Sequence, residues 1–349
     1  MSTGSWPTIA DVASRMDPSG DMHVIAEMLS QSIALTKDLY MVESSEMFGH
    51  EFSFRTSIPA GSWRQINQGV PYSKSTTGKS RVGLGTLEDY SQVDRLLAEG
   101  SGLGIEGFRE SEDVAFLEGM GQTVEQTAWY GNTAATPAEF MGLSTFYNTV
   151  ATATALNAAN VIDGGGTGSS NLSIWLLCHG ARTFHGLYPR STKAGLTMED
   201  KSDTVPGYDS LGNRFEAYTS WFRHMIGIVP IDWRYCGRIA NVDVTNAGLA
   251  GPNALDVFAT IRQLMLLIPS LTAQSSGITE TDAPSEPSPG IRPVFYTCRT
   301  GRHWMDVQAM RDRNVLLRIE DYAGRPVDGF NGIPLRVSDQ LLITESRVT

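Results

Sequence analysis

The pattern of hydrophobic and polar positions changes character several times along the chain, and each change marks a candidate element. Ile25, Met28, Leu29, Ile33 and Leu39 recur at near-helical spacing, which predicts a helix capped by Ser19 or Asp21 and ending near Tyr40. Before it, residues 1–20, with Pro7, Pro18 and Gly20, read as an irregular arm. Phe52, Phe54 and Ile58 alternate as in a strand and stop at Pro59. A long polar centre follows, from Trp63 through Tyr72 into the small residues Ser73 to Ser80, with Lys74, Lys79 and Arg81. Two β-prone flanks around such a centre predict an extended hairpin, too poor in apolar residues to pack a core of its own.

Leu87, Tyr90, Val93 and Leu97 predict one or two helical turns, after which Gly100, Gly102, Gly104 and Gly107 break the chain. Ser111 then reads as an N-cap, with Glu112 and Asp113 at the positive end of a new helix. Val114, Leu117, Met120, Val124 and Ala128 give this helix one apolar face up to about Tyr130, and Gly131-Asn132 suits a left-handed stop. Gly119 and Gly121 each cost about 1 kcal/mol relative to Ala there and would weaken or bend the helix.

From Phe140 the pattern is mixed. Leu172 to Cys178 is a continuous apolar run, fit for a strand buried on both faces. Arg214–Arg223, Trp233–Val242, Val294–Cys298, Leu316–Ile319, Arg325–Phe330 and Ile333–Leu342 read as further strands. Pro252 opens a helix through Leu267, and Arg302–Met310 is another. Residues 270–290, rich in Ser, Thr, Pro and acid, read as an exposed loop.

Composition narrows the classes. At 349 residues, with 41% apolar and 19% charged, the chain holds enough apolar material for a real core, and its length suggests about two domains. No stretch approaches ~18 consecutive apolar residues, so no membrane span is expected, and the first residues lack the pattern of a signal peptide. Cys178, Cys236 and Cys298 lie far apart without a CxxC, which argues for buried thiols in a reducing compartment. The net charge of -11 makes a general nucleic-acid binder a poor fit.

Candidate chemistry mostly fails its own context. Thr77-Gly78-Lys79-Ser80 ends like a phosphate-binding loop, but position 73 is Ser where a glycine is needed, and no strand and helix flank it. The glycine-rich 164–168 stretch leads into a strand rather than a helix, so it lacks the anion site of a dinucleotide fold. His179 and His185 are six apart, no HExxH or GxSxG occurs, and Glu199, Asp200 and Asp203 sit on a polar loop with Lys193 and Lys201. Asn171-Leu172-Ser173 has glycosylation spelling only. Catalytic, cofactor and metal residues are therefore none. What stands out is Trp63, Arg64, Tyr72, Trp129, Trp221, Trp233, Arg234 and Trp304, residue types enriched at protein interfaces. Several belong equally to a core; Trp63 and Tyr72 do so least, given their apolar-poor surroundings.

Short stretches then acquire meaning from their order. Arg55-Thr56 with Pro59 leads into Trp63-Arg64, Asn67-Gln68-Gly69-Val70 and Ser73-Lys74-Ser75. Phe108 to Trp129 with its Ser-Glu-Asp turn is followed by Tyr130-Gly131-Asn132, Ile162-Asp163, Gly165-Gly166-Thr167-Gly168 and Ser173-Ile174-Trp175. Asp232-Trp233-Arg234-Tyr235, Arg238-Ile239-Ala240-Asn241, Gly332-Ile333-Pro334, Arg336, Asp339 and Thr344-Glu345 complete the series. Together they resemble the major capsid proteins of tailed phages with the Hong Kong 97-type fold, in the branch similar to epsilon-fifteen and the Bordetella podovirus.

The resemblance implies an α+β fold with an N-arm, an extended E-loop hairpin, a long spine helix, a P-domain and an A-domain. It places an arm with a helix at 1–50, the E-loop at 51–86, a P-domain part with the spine helix at 87–135, mainly A-domain with P-domain crossings at 136–310, and C-terminal strands at 311–349. It implies a non-enzymatic subunit that assembles as pentamers and hexamers into an icosahedral head, T=7 by family resemblance alone, around double-stranded DNA. Further implied partners are a portal protein and a decoration or cement protein, with no membrane; the expected place is the virion, and the host cytoplasm during assembly. Candidate inter-subunit contacts are Arg55, Trp63, Arg64, Asn67, Gln68, Tyr72, Lys74, Lys79 and Arg81; candidate hinges of the spine helix are Gly119 and Gly121. The alternatives are an encapsulin-like compartment shell and a nucleotide-binding enzyme using the 164–168 loop.

Overall fold

The computed structural model describes residues 30–349 and Pro7, apart from 101, 103, 154, 202–204, 209–210, 246–254, 270–290, 312–316 and 323–324; for 311, 317–322 and 325–328 it describes the backbone alone. From Ser30 onward the described elements are a one-turn helix α1 (Leu35–Asp38) and strand β1 (Met41–Glu43), followed by the hairpin β2 (Gly49–Ser57) and β3 (Thr76–Gly83). Next come β4 (Gly85–Asp94), the short helix α2 (Arg95–Glu99) and the long helix α3 (Gly104–Tyr130). The central part holds α4 (Leu143–Phe146), β5 (Val161–Asp163), β6 (Asn171–His179), β7 (Phe184–Tyr188), β8 (Leu196–Asp200), β9 (Val205–Tyr208), β10 (Arg214–Pro230) and β11 (Cys236–Asp243). Last are α5 (Val257–Leu267), β12 (Arg292–Thr297), α6 (Arg299–Arg311), β13 (Leu317–Tyr322), β14 (Arg325–Phe330) and β15 (Ile333–Val337).

Strand β6 is the centre of the main sheet, as its unbroken apolar run predicts: all of its residues are buried. It pairs antiparallel with β11 from Asn171 to Leu177 on one edge and with β12 from Trp175 to His179 on the other, and β12 pairs parallel with β15. Trp175 on β6 packs against Trp129 of α3 and Tyr147, with ring centroids 5.8 and 6.0 Å apart. Truncating a fully buried Trp of this kind typically costs about 3–5 kcal/mol.

The sheet does not end at this core. Strand β10 spans 17 residues, about 55 Å at the usual rise. Its last residues pair with β7, and its first part pairs with β4 on one edge and with β8 and β9 on the other. It is thus a strut running from the core to a second, smaller layer. There α3 lies over β4 and β10 with a small cluster of its own, Val93, Ala98 and Phe108.

Several elements differ from the sequence expectation. Leu87, Tyr90 and Val93 lie on a strand, not on helical turns: β4 pairs residue for residue with β10, some 130 positions away, and that non-local ladder overrides a spacing of three that mimics a helix. Only after Asp94, whose side chain accepts from the Leu96 N–H, does the short helix α2 begin. Helix α3 starts at Gly104, with φ of 77°, seven residues before the expected cap; Ser111 sits inside it and bonds the Phe108 carbonyl. Asp113 is buried in that helix, its carboxylate accepting from the Ser220 hydroxyl at 3.0 Å. Val114 and Leu117, expected on the buried face, are exposed. The helix ends at Gly131 as expected but without a left-handed residue there: a Cβ on Gly131 would lie 2.3 Å from the Phe140 carbonyl, and Gly142 packs backbone to backbone against it. Strand β10 runs on to Pro230, and Trp233–Tyr235 is a 3-10 turn before β11. The first part of the expected N-terminal helix lies outside the described residues; from Ser30 to Tyr40 only α1 is helical. The expected helix opening at Pro252 and the 270–290 loop likewise fall outside, and α5 is capped by Asp256, which accepts from the Ala259 N–H.

Two buried polar clusters hold residues 34–36 and the C-terminal segment to this body. Glu125, fully buried on α3, accepts hydrogen bonds from the N–H groups of Ala34, Leu35 and Thr36 and from the Thr36 and Ser338 hydroxyls. It stands where a capping side chain would stand for α1, but it comes from another element. Near the other end, Arg238 and Glu345 form an ion pair at 2.8 Å with both side chains about 95% buried. Arg238 also donates to Ser173 Oγ and the Tyr147 carbonyl and lies over the Trp175 ring. Glu345 accepts from Tyr130 Oη at 2.5 Å and from the Ser173 hydroxyl.

Glu125→Ala removes the acceptor and leaves three buried or half-buried N–H groups unpaired, so it is expected to destabilise the chain by about 3 kcal/mol. Limited proteolysis should then cut residues 30–40 at a denaturant concentration that spares the original chain. Arg238→Ala leaves Glu345 charged, buried and unpaired, and chemical denaturation should show a loss of about 3–5 kcal/mol.

Candidate inter-subunit surface

The hairpin β2–β3 is an isolated two-stranded ladder, with Gly49 opposite Gly83 at its base and Arg55 opposite Thr77 near its far end. Beyond Ser57 and Thr76 the chain makes an exposed loop of residues 58–75. A single turn organises its tip: the Gln68 N–H donates to the Gln65 carbonyl at 3.2 Å, Asn67 takes φ of 71°, and Arg64 Nη1 reaches the Gln68 carbonyl at 3.4 Å. Arg64, Asn67 and Gln68 are thereby brought together.

Trp63 and Tyr72 are as exposed as free side chains, at 104% and 106%, and Ile58 and Ile66 nearly so. A folded chain leaving two large aromatics wholly uncovered is unusual and makes this tip a candidate interaction surface. Arg55, Lys74 and Lys79 are exposed too, without an ion pair among the described residues. Arg81 differs from its fellow candidates: it sits at the base, pairs with Glu46 at 2.8 Å and lies against Gly49, so it anchors the hairpin rather than extending from it. The Ile58 and Ile66 side chains belong with Trp63 and Tyr72; their signal in the sequence was apolar residues stranded in a polar stretch.

A second aromatic and cationic group, half-buried apart from the exposed Tyr90, lies on the smaller layer. Tyr90 of β4 stacks on Trp221 of β10 at 6.2 Å, and Lys201 and Arg223 stand over the Trp221 ring at 5.2 and 4.9 Å. On the other face of that layer, Arg109 of α3 donates to Asp200 and Ser220. Of the remaining candidate aromatics, Trp129 is fully buried, Trp304 donates to the Val244 carbonyl and Trp233 packs on the main core; Arg234 pairs with Asp232. Gly119 is open to solvent in an unbroken helix, whereas a Cβ on Gly121 would meet Ile33 of the arm at 3.1 Å.

The segments with catalytic spelling have structural uses. Thr77 to Ser80 lie in β3, their backbone committed to the ladder with β2, and Gly78 leaves room for the Phe54 ring. In the glycine-rich loop the N–H groups of Gly164 and Gly166 donate to the Ala240 and Asn241 carbonyls, so they are not free to cradle an anion. Asn171 is buried and donates to the Gly168 carbonyl. His179 and His185 are buried in the main sheet; the former shares a hydrogen bond of 2.8 Å with Tyr296 Oη, and burial lowers its pKa to about 3. Among the described residues no group of three or more His, Cys, Asp or Glu is placed to hold a metal ion, and no helix is long and apolar enough to cross a membrane. All three thiols are buried, and burial pushes Cys178 up to about 12.

The family model for major capsid protein GP7 matches residues 17–349. The chain belongs to the major capsid protein GP7 family. Its fold is similar to that of a chain in the solved structure of bacteriophage Epsilon15, at 28% identity and a TM-score of 0.71, covering 99% of this chain and 98% of that one. More distant likenesses are a bacteriophage JBD30 capsid chain, at 12% identity over 90% and 93% with a TM-score of 0.49, and an encapsulin from Synechococcus elongatus, at 11% over 68% and 98% with a TM-score of 0.44. No curated protein matches. The GP7-family chain is thus a capsid subunit with the Hong Kong 97-like α+β fold, one that self-assembles into the icosahedral shell of a phage head and resides in the virion.

Because the thiolate form is disfavoured and access is closed, a thiol reagent at pH 8 should leave the folded subunit unlabelled, and three thiols should react once denaturant is added.

Proposed function

We propose that the hairpin is the E-loop of this capsid subunit and that its tip, through Arg55, Trp63, Arg64, Asn67, Gln68, Tyr72, Lys74 and Lys79, lies on a neighbouring copy in pentamers and hexamers. The carrying observation is the complete exposure of Trp63 and Tyr72 on a hairpin that leaves its own subunit. An uncovered aromatic pair is stabilised only by a surface from another copy, at about 25 cal/mol per Å² of apolar area removed from water. Charge agrees. Residues 51–81 hold five cations, Arg55, Arg64, Lys74, Lys79 and Arg81, against Glu51 alone, in a chain of net charge -11. Exposed acids on β4 and α3, such as Glu88, Asp89, Glu106 and Glu110, offer the complement on a neighbour.

In this reading α3 is the spine helix, with Gly119 and Gly121 as the places where it bends as the shell expands. The small layer of β4, β8, β9 and β10 with α3 is the P-domain, and the core around β6 is the A-domain. The shell encloses double-stranded DNA without gripping it, as an acidic wall favours. A portal protein at one vertex and an outer decoration protein are the further partners, and assembly takes place in the host cytoplasm.

The test is to express the chain and image its largest species by negative-stain electron microscopy, alongside the Trp63→Ala/Tyr72→Ala double variant. Closed shells or rings from the original chain, and a drop of at least tenfold in assembled fraction for the double variant with an unchanged melting temperature, are expected. Equal assembly by both would remove the hairpin tip from the contact.

A further inference from the structure

The hairpin meets its own subunit through a small joint. Val82 of β3 packs with Leu187 of β7 and Val229 of β10, and Val42, Phe52 and Leu84 surround them. Two imidazoles close this joint. His50, the second residue of β2, is stacked on Phe52 at 6.3 Å and accepts from the Ser45 N–H at its Nδ1. His185 of β7 meets the His50 ring edge-on, with centroids 6.3 Å apart and planes at 82°. His185 is only 1% exposed, and neither of its ring nitrogens makes a hydrogen bond of normal geometry, the Gly180 backbone being the one polar group that favours its charged form.

We infer that this joint is an acid-released hinge: it is closed while His50 and His185 are neutral, and a proton on either ring drives the hairpin base off the main sheet. The reason is that, among the described residues, no free carboxylate faces either ring to accept the charge. The residues of β10 paired with β7, Gly227 to Pro230, are uncharged. Strand β1 brings Met41 and Val42, and the carboxylate of Glu43 is bonded to the Ser191 N–H. From the hairpin side come His50 itself and the Arg81–Glu46 pair, whose Glu46 is already held by a guanidinium. A buried imidazolium here would face a second imidazole and no anion, and opening the joint to water is the available relief.

The titration supports the geometry. Burial first, then the charge of His50, lower the pKa of His185 to about 4, against a smaller upward pull from the Gly180 backbone; burial lowers that of His50 as well. An imidazole freed into water titrates near 6.5. Since the closed joint holds the lower value, its stability is full above about pH 6.5 and is lost progressively as pH falls toward 4. The joint lies within one chain, so the inference stands whether or not the hairpin tip meets a neighbour.

Hydrogen exchange of the full chain, read by mass spectrometry at pH 7.5 and 5.5 and scaled to the intrinsic rate at each pH, tests it. Protection of the amides at 49–52 and 80–84 should fall about tenfold at the lower pH, while that of 172–178 in β6 stays constant. His185→Leu should cut the fall to the smaller share carried by His50. If that variant lowers protection in β6 as well, and so disturbs the whole sheet, His50→Phe decides. It keeps a ring on Phe52 and removes one titrating group and its repulsion of the other, so the fall should shrink to less than half. No acid-dependent loss in the original chain, or an undiminished loss in His185→Leu or His50→Phe, overturns the hinge.

Discussion

A carboxylate with no cation beside it among the described residues, that of Glu125, is the group on which the arm depends. Burying a charge alone would be prohibitive. Here the charge is distributed over N–H groups of Ala34, Leu35 and Thr36, the Thr36 hydroxyl and Ser338 Oγ, with the Trp129 indole adding a longer contact at 3.4 Å. The arm has one fully buried side chain in this stretch, Leu35, so apolar packing alone would hold it weakly. Hydrogen bonds to a charged acceptor are roughly twice as strong as neutral ones, and they fix a register that a single Leu in a groove would leave free. Because Ser338 lies just beyond β15 and Glu125 on the long helix, one carboxylate joins the arm, the helix and the last strand of the sheet.

The same logic recurs wherever an extended segment touches the core. Asp38 at the end of α1 accepts from Tyr296 Oη and faces Arg336, and its carbonyl accepts from Arg292. Tyr296 in turn shares its hydroxyl with His179 Nε2. The chain's last residues are tied by Glu345 to Arg238 and by Asn241, which exchanges hydrogen bonds in both directions with Val348. Each tie joins residues about 90 to 300 positions apart in sequence. Residues 30–40 and the hairpin contribute little area to any core, so such ties hold them in place.

That design explains what was legible in the sequence. The hairpin was visible, since a polar run between β-prone flanks has few other solutions, and its uncovered tip followed from the scarcity of apolar residues around Trp63 and Tyr72. Strand β6 was visible because a strand buried on both faces is apolar throughout. The end of the spine helix was visible, but its start was not. Four glycines before Phe108 suggested a break, whereas only Gly102 and Gly104 adopt positive φ and the helix runs on through Gly107. Strand β4 was misread because Leu87, Tyr90 and Val93 have a spacing that either structure accommodates, and the partner that decides it lies far along the chain. Glu125 was invisible as a buried group: an acid beside Val124 reads as the helix's wet side, and the donors that call for it are backbone N–H groups, which carry no sequence signature. Gly121 read as a bend of the helix and Gly131 as a left-handed stop; what the sequence did not signal is that both are places of close approach, to Ile33 and to Phe140.

The geometry also couples segments that the sequence keeps apart. Strand β1 of the arm pairs parallel with β7, next to the edge of β7 that carries His185 beneath the hairpin base. Strand β10, which pairs with β7 at its last residues, runs to the layer where α3 lies over Ser220 and Phe222. The arm, the hairpin and the spine layer therefore seat on one short strand of five residues. A displacement of the hairpin base changes the surface against which β1 is paired and the end of the strut that supports α3. Packed elements of this kind shift between discrete arrangements rather than deforming continuously, since interiors are too dense to yield by small amounts. On the proposed reading of the hairpin as a contact with a neighbouring copy, β7 is the element through which that contact reaches both β1 and the strut under α3.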